Sequence, residues 1–233
     1  MKKFITFMAV VIVVIIAVLW YLDKGWDKST DAPSPSPSVS ATATAVPTQS
    51  VSDGTIKFTY GSDYGLATTP AQVLVTSYIP SCDPGFNYCL YYDGSAYKGT
   101  NFDSAGLRVQ KRADLKTQSA CLSTMPSGFA GIVPVTANGP DYATSVFSPL
   151  GDAGAGHYAS GAEYRLWYVN SCYEFETRIG QTQFANYPAG SIQQFTDADN
   201  ANVQAGLMSM LDSITLSNNE QVSFPAPKAT PAN

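Results

Sequence analysis

Apolar positions along the chain fall into three regimes. Residues 4–22 form an uncharged run of 19 residues, apolar but for Thr6 and preceded by Lys2 and Lys3. As a helix that run is about 28 Å long, close to the roughly 30 Å hydrocarbon core of a bilayer. A cleavable signal peptide has a shorter apolar stretch ending in small residues, whereas here Trp20 and Tyr21 close the run and Asp23, Lys24 and Trp26 follow. Those aromatics suit a membrane interface, so the run is expected to stay as a signal anchor. Ala41-Thr42-Ala43 resembles a cleavage signal but lies well beyond the run, and no cysteine near its end offers a lipoprotein anchor. Lys2 and Lys3 on one side face Lys24 and Lys28 on the other, which leaves orientation undecided. Residues 29–53 then lose almost every core-forming side chain and repeat Pro-Ser, the composition of an extended tether without secondary structure.

From residue 54 the pattern turns strand-like. Period-two or β-branched runs at 55–60, 73–79, 88–92, 105–110, 142–147, 155–159, 164–169 and 172–179 are separated by turn residues. Asn170-Ser171 reads as a two-residue hairpin turn, which would set Val169 opposite Cys172, Trp167 opposite Glu174 and Arg165 opposite Glu176. The face carrying Tyr164, Leu166, Tyr168, Tyr173, Phe175 and Ile179 is the one to bury. Two helices are expected. One spans 113–122; the other is capped by Thr196 and Asp197 and runs to about Ser213, with Val203, Leu207, Met210, Leu211 and Ile214 at helical spacing. Beyond it the chain leaves through a short extended segment, and residues 218–233, rich in Pro and Ala, read as a disordered tail.

The layout is thus anchor and flank 1–28, tether 29–53, folded domain 54–217 and tail 218–233. Sheet plus a few helices without βαβ alternation is α+β. The fold class expected is an antiparallel sheet of about six or more strands with flanking helices, preceded by one N-terminal transmembrane helix. Phe58-Thr-Tyr60 with Asp63-Tyr-Gly, the meander from His157 to Ile179 and the closing Leu211-Asp-Ser-Ile resemble the PsbP-like family over most of residues 55–216. Gly61 stands where that family usually has proline. The resemblance implies an α/β/α sandwich, a central antiparallel sheet with helices on both faces, and carries no functional residues. The chain also resembles small anchored proteins predicted from bacterial genomes.

Composition narrows the chemistry. Net charge is −5, with 13 Lys and Arg against 18 Asp and Glu, so the clustered basic surface that binds nucleic acid is not supplied. His157 is the only histidine, which excludes a multi-histidine metal site. Cys82, Cys89, Cys121 and Cys172 make an even set inside the domain, as in an oxidising compartment. Three pairings are possible; Cys82–Cys89 with Cys121–Cys172 is favoured, the first closing the Asp83-Pro-Gly loop. Free thiols and a zinc site are the rivals, and the lack of any C-x-x-C pair argues against zinc.

Catalytic patterns are sparse. His157 follows a glycine-rich stretch, but no G-x-S-x-G elbow occurs and no Gly-Lys-Ser/Thr completes a phosphate loop. Asp197, Asp199 and Asn200 look acidic, yet Ala201 and Met208 occupy positions where a calcium loop needs oxygen ligands, so helix capping explains them. Glu174 and Glu176 sit two apart on one strand face, compatible with glycosidic acid/base work. A surface cross-strand ion pair of Arg165 with Glu176 is the simpler role. Tyr78, Tyr88, Tyr91, Tyr92 and Tyr97 could pack a sheet or form a contact patch. Arg165, Trp167, Glu174, Glu176, Tyr91 and Tyr92 are the candidate contact surface.

The reading that follows is a single-pass membrane protein whose soluble domain lies on the extracytoplasmic side. It binds or scaffolds an envelope protein or glycan partner, with no catalytic set, metal or other cofactor expected and no nucleic acid. The alternative is a cell-envelope hydrolase of glycans or peptides using Glu174 and Glu176 or His157. A purely structural or assembly role is a third possibility.

Overall fold

A computed structural model describes residues 48–67 and 87–227. The chain divides into two compact units, Met1–Thr44 and Ala45–Asn233, and the described residues all belong to the second. The expected anchor at 4–22, the tether as far as 47, the strand at 73–79, Tyr78, Cys82 and residues 228–233 lie outside them. Among the described residues no helix is long and apolar enough to cross a membrane.

The elements run β1 (Thr48–Ser52), β2 (Ile56–Gly61), β3 (Tyr64–Leu66), β4 (Tyr88–Tyr92), β5 (Phe102–Lys111), α1 (Gln118–Ser123), β6 (Val135–Asn138), β7 (Ala143–Gly154), β8 (His157–Tyr168), β9 (Ser171–Thr182), α2 (Asp197–Asp212) and β10 (Thr215–Leu216). Seven strands form one sheet in the order β3-β4-β5-β9-β8-β7-β6, and β1-β2-β10 form a second. Among the described residues every pair of strands is antiparallel. The expected antiparallel sheet with helices is present.

Two tight turns organise the centre. β7 and β8 close through Ala155-Gly156 and β8 and β9 through Val169-Asn170, and all four residues have positive φ. Positive φ at both central positions is the two-residue hairpin turn whose twist matches the strands. The expected turn at Asn170-Ser171 is therefore one residue too late. Trp167 faces Cys172, and Arg165 faces Glu174 instead of Glu176. Asn170 tolerates the left-handed region as the second turn residue, and this fixes the register. The two strands expected at 155–159 and 164–169 are one, because the glycine-rich stretch before His157 continues β7 up to a tight turn.

Alternation sorts the large sheet into two faces. Leu107, Val109, Tyr164, Leu166, Tyr173, Phe175 and Ile179 are buried on one face, where they join Val203, Leu207, Met210 and Leu211 of α2 and Ile56 and Phe58 of β2 in the main core. Thr196 caps α2 by the expected chemistry: its hydroxyl accepts from the Asp199 N–H at 3.2 Å, and the Asp199 carboxylate accepts from the Thr196 N–H at 2.8 Å. The Thr196 hydroxyl, which donates to the Asp199 carboxylate at 2.7 Å, and the Thr196 N–H together hold that carboxyl below its ordinary pKa, so the acidic group here is a capping box. The helix expected at 113–122 is shorter, because Thr117 caps it and it begins at Gln118. It packs on the opposite face, where Cys121 and Leu122 meet Leu115, Ala143, Cys172 and Trp167 in a small second core.

A disulfide joins Cys121 to Cys172 and so ties α1 to β9. Cys89 is also disulfide-bonded; its expected partner, Cys82, is outside the described residues. Both presumed unstructured margins need correction. Residues 48–52, assigned to the tether, pair with β2 because Val51 packs against the main core. Residues 218–224, assigned to the tail, fold back: Val222 is buried and the Phe224 ring lies 5.3 Å from that of Tyr164.

Candidate functional site

Three adjacent strands each place polar side chains at every second position on the face that carries α1. Across β5, β9 and β8 the rows are Gly106, Arg178 and Gly161; then Arg108, Glu176 and Glu163; then Gln110, Glu174 and Arg165. All six charged side chains are buried, with Arg165 at 0% exposure and none above 6%. The chain between β5 and β6 covers them. Its helix is pinned by the disulfide, the Cys121 carbonyl accepts from Arg165 Nη1 at 3.0 Å, and the Phe129 ring lies 5.3 Å from the Arg178 guanidinium.

The expected surface pair of Arg165 with Glu176 is therefore overturned on both counts. Arg165 bonds Glu163, and its Nη2 lies 3.3 Å from Glu174. Glu176 instead takes Arg108 on one side and Arg178 on the other, the latter through Nε and Nη2 at 2.6 Å. Arg112 reaches down from the end of β5 to Glu174 at 2.5 Å and to Asp114 at 2.7 Å. Two chains of alternating charge result: Asp114, Arg112, Glu174, Arg165, Glu163, and Arg108, Glu176, Arg178.

Burial and neighbours shift these groups. Desolvation pushes the Glu163 carboxyl up to about 7, the nearby Glu174 charge adds to the rise, and Arg165 and Arg112 oppose it. Burial lowers the Arg178 guanidinium, countered by the charges of Glu163 and Asp152. Asp114, at the exposed end, is held at about 2, chiefly by its bond from Arg112.

Above the two chains lies a cavity of about 460 Å³, floored by Arg108, Glu163, Glu174, Glu176 and Arg178 and roofed by residues 126–129. Its size is that of a small-molecule site. A pocket floored by acids and guanidiniums can bind charged or strongly hydrogen-bonding groups. Among the described residues no group of three or more His, Cys, Asp and Glu is placed to hold a metal ion.

The remaining candidates separate from this cavity. Trp167 packs against the small disulfide core. Tyr92 joins an aromatic cluster with Tyr64, Tyr97 and Phe102 at ring distances of 5.4–6.1 Å, while Tyr91 lies across Gly65, where a Cβ would fall 2.3 Å from its ring. The two tyrosines line a different hollow, of about 400 Å³, with Asp93, Lys98 and Phe102. His157 opens β8, with Nδ1 3.5 Å from Asp103. Of the six expected contact residues, only Glu174 and Glu176 line the charged cavity, with Arg165 buried beside them. Arg108, Arg112, Glu163, Arg178 and Phe129 were missed. The signal was charge at period two in three separate strands, Arg108-x-Gln110-x-Arg112, Glu163-x-Arg165 and Glu174-x-Glu176-x-Arg178, which only their adjacency makes into one patch.

No family model matches this chain, and no curated protein matches it. Among solved structures it is similar to the solution structure of cyanobacterial PsbP (CyanoP) from Synechocystis sp. PCC 6803. That likeness is at 10% identity, covering 78% of this chain and 99% of that one, with a TM-score of 0.31. The neighbour bears the family name that the sequence resemblance gave; at that TM-score it carries no argument about the site.

Proposed function

We propose that this chain is a membrane-tethered, extracytoplasmic binding domain that takes a charged or strongly hydrogen-bonding group of its ligand into the cavity over Glu163, Glu174, Glu176 and Arg178. One observation carries the reading: five buried ionisable side chains, Arg108, Glu163, Glu174, Glu176 and Arg178, floor an open cavity. Each buried ion costs several kcal/mol in desolvation, and well-packed apolar side chains at the same positions are often as stabilising or more so. A charged floor is therefore a poor way to stabilise a sheet and a good way to recognise a polar ligand. Anchor and tether support the location, since residues 4–22 have the length and flanks of a spanning segment.

The experiment is a thermal-shift panel on the full chain in detergent, using neutral oligosaccharides, acidic sugars, amino acids and short peptides. Ser127 lines the cavity from its exposed roof and belongs to no ion pair, so Ser127→Trp is expected to narrow the cavity without removing a charge. A ligand that raises Tm in the wild type and not in Ser127→Trp supports the proposal; equal shifts in both refute it.

One observation favours the hydrolase alternative. A Glu163 carboxyl raised to about 7, close to the Glu174 carboxyl, is the kind of pairing that a general acid and its partner need. Against it, Glu163, Glu174 and Glu176 each already accept from arginine. Turnover of a chromogenic glycoside or peptide, abolished by Glu163→Gln, would favour the enzyme.

A further inference from the structure

Arg178 is 5% exposed, and its five N–H donors are unevenly used. Nε and Nη2 both bond the same oxygen of Glu176, whereas the buried Nη1 has no hydrogen-bond partner among the described residues. A charged donor left unsatisfied in a buried site carries the full cost of its desolvation. The group is also held still, with the Phe129 ring against its guanidinium at 5.3 Å.

The cavity over the charged floor opens beside this group, which forms part of its lining. Glycines stand on both sides of Arg178, Gly106 on β5 and Gly161 on β8. A Cβ at Gly161 would fall 1.9 Å from the Thr177 carbonyl oxygen and 3.1 Å from Arg178 Cδ, so no larger residue fits there. Glu176 shares its carboxylate between the guanidiniums of Arg108 and Arg178, and the charges of Glu163 and Asp152 also act on Arg178. Asp152, at the rim, is exposed and accepts from the Ala153 N–H, so water screens much of its charge.

We propose that Arg178 anchors an oxyanion, the carboxylate or phosphate group of a small polar ligand, which accepts a hydrogen bond from Nη1 beneath Phe129. This rests on the cavity being the binding site and names the class of ligand it takes. Guanidinium matches carboxylate and phosphate geometry, and the cavity's 460 Å³ accommodates a molecule of sugar size.

Titration calorimetry of the full chain in detergent, with inorganic phosphate and separately with glucuronate, tests the site. Saturable binding of either probe is expected, and the one that binds tells phosphate from carboxylate. Arg178→Lys keeps a charge for Glu176 but removes Nη1, and should weaken binding at least about tenfold, the range of one charge-assisted hydrogen bond. Binding unchanged in Arg178→Lys, or no binding of either anion by the wild type, overturns the proposal. Should Arg178→Lys lower Tm, nitrogen-15 spectra of the wild-type guanidinium groups decide: a titrating Arg178 signal supports the anion site and an unmoved one refutes it. A neutral oligosaccharide that shifts the wild type and not Ser127→Trp, with no response to either anion, overturns the oxyanion and leaves the cavity as a binding site. No response to any class overturns both.

Discussion

Glu163 and Arg165 lie two residues apart on β8, both buried, and the guanidinium of one bonds the carboxylate of the other. The pairing does not keep Glu163 easily ionised. Burial and the Glu174 charge raise its carboxyl to about 7 despite Arg165 and Arg112. Glu176 stands opposite it on β9, Arg178 lies one row away, and Arg108 and Asp152 complete the charged groups around the cavity. Between about 4.5 and 7 the folded chain therefore holds a proton that the unfolded chain releases, so stability falls as pH rises through that window. Glu163→Gln keeps an acceptor for Arg165 without the charge. Its Tm should fall less than that of the wild type between pH 5 and pH 8, and parallel curves would contradict the raised carboxyl.

The Cys121–Cys172 bridge closes a loop with a sequence separation of 51. On the chain-entropy model such a loop is worth about 4 kcal/mol. The bridge also positions the Cys121 carbonyl that accepts from Arg165, so its loss should loosen the roof over the charged floor. The double variant Cys121→Ala with Cys172→Ala should show a lower denaturant midpoint, and any ligand found in the thermal-shift panel should bind it more weakly. An unchanged midpoint would count against the bridge as the fastening of α1.

Much of the core was legible because apolar alternation survives any small error of register. Tyr164, Leu166, Tyr168, Tyr173, Phe175 and Ile179 are all buried as expected, even though the hairpin pairs were wrong. Moving the turn back by one residue changes each partner by two positions but leaves every side chain on its own face. The same property hid the site. Which charges meet depends on register across three strands and on a loop crossing above them, and neither is local in sequence. Short strands such as β3 and β10 carry too few residues for a period to register. Residues 218–224 looked like a tail because Val222 and Phe224 are isolated in sequence, and only the fold supplies their neighbours.

Val169 occupies the first central position of the β8–β9 turn with φ of 45°, and it is 66% exposed. A β-branched side chain is strained in the left-handed region, at a cost of roughly 1–2 kcal/mol. Little packing is lost by replacing it. Val169→Asn should therefore stabilise the domain by about 1 kcal/mol, read as a Tm rise of a few degrees. A fall in Tm would mean that the exposed valine makes a contact worth more than its strain.

The segment after β10 is held by three kinds of interaction. The Val222 N–H donates to the Ile214 carbonyl at 2.9 Å and the Thr144 hydroxyl donates to the Ser223 carbonyl at 3.0 Å. The Phe224 ring lies 5.3 Å from Tyr164 and 5.9 Å from Phe175, edge-on to both. Full burial of one such apolar side chain is worth roughly 1.5–3 kcal/mol, and Val222 and Phe224 together close the main core beside Tyr164. Ending the chain after Ser217 should therefore cost on the order of 3 kcal/mol or more, with Phe224→Ala alone costing a part of it. Denaturant midpoints of the two variants check the order. Truncation without effect would return residues 218–224 to the tail that their composition suggests, whereas a large loss from both variants makes them the last packed element of the domain.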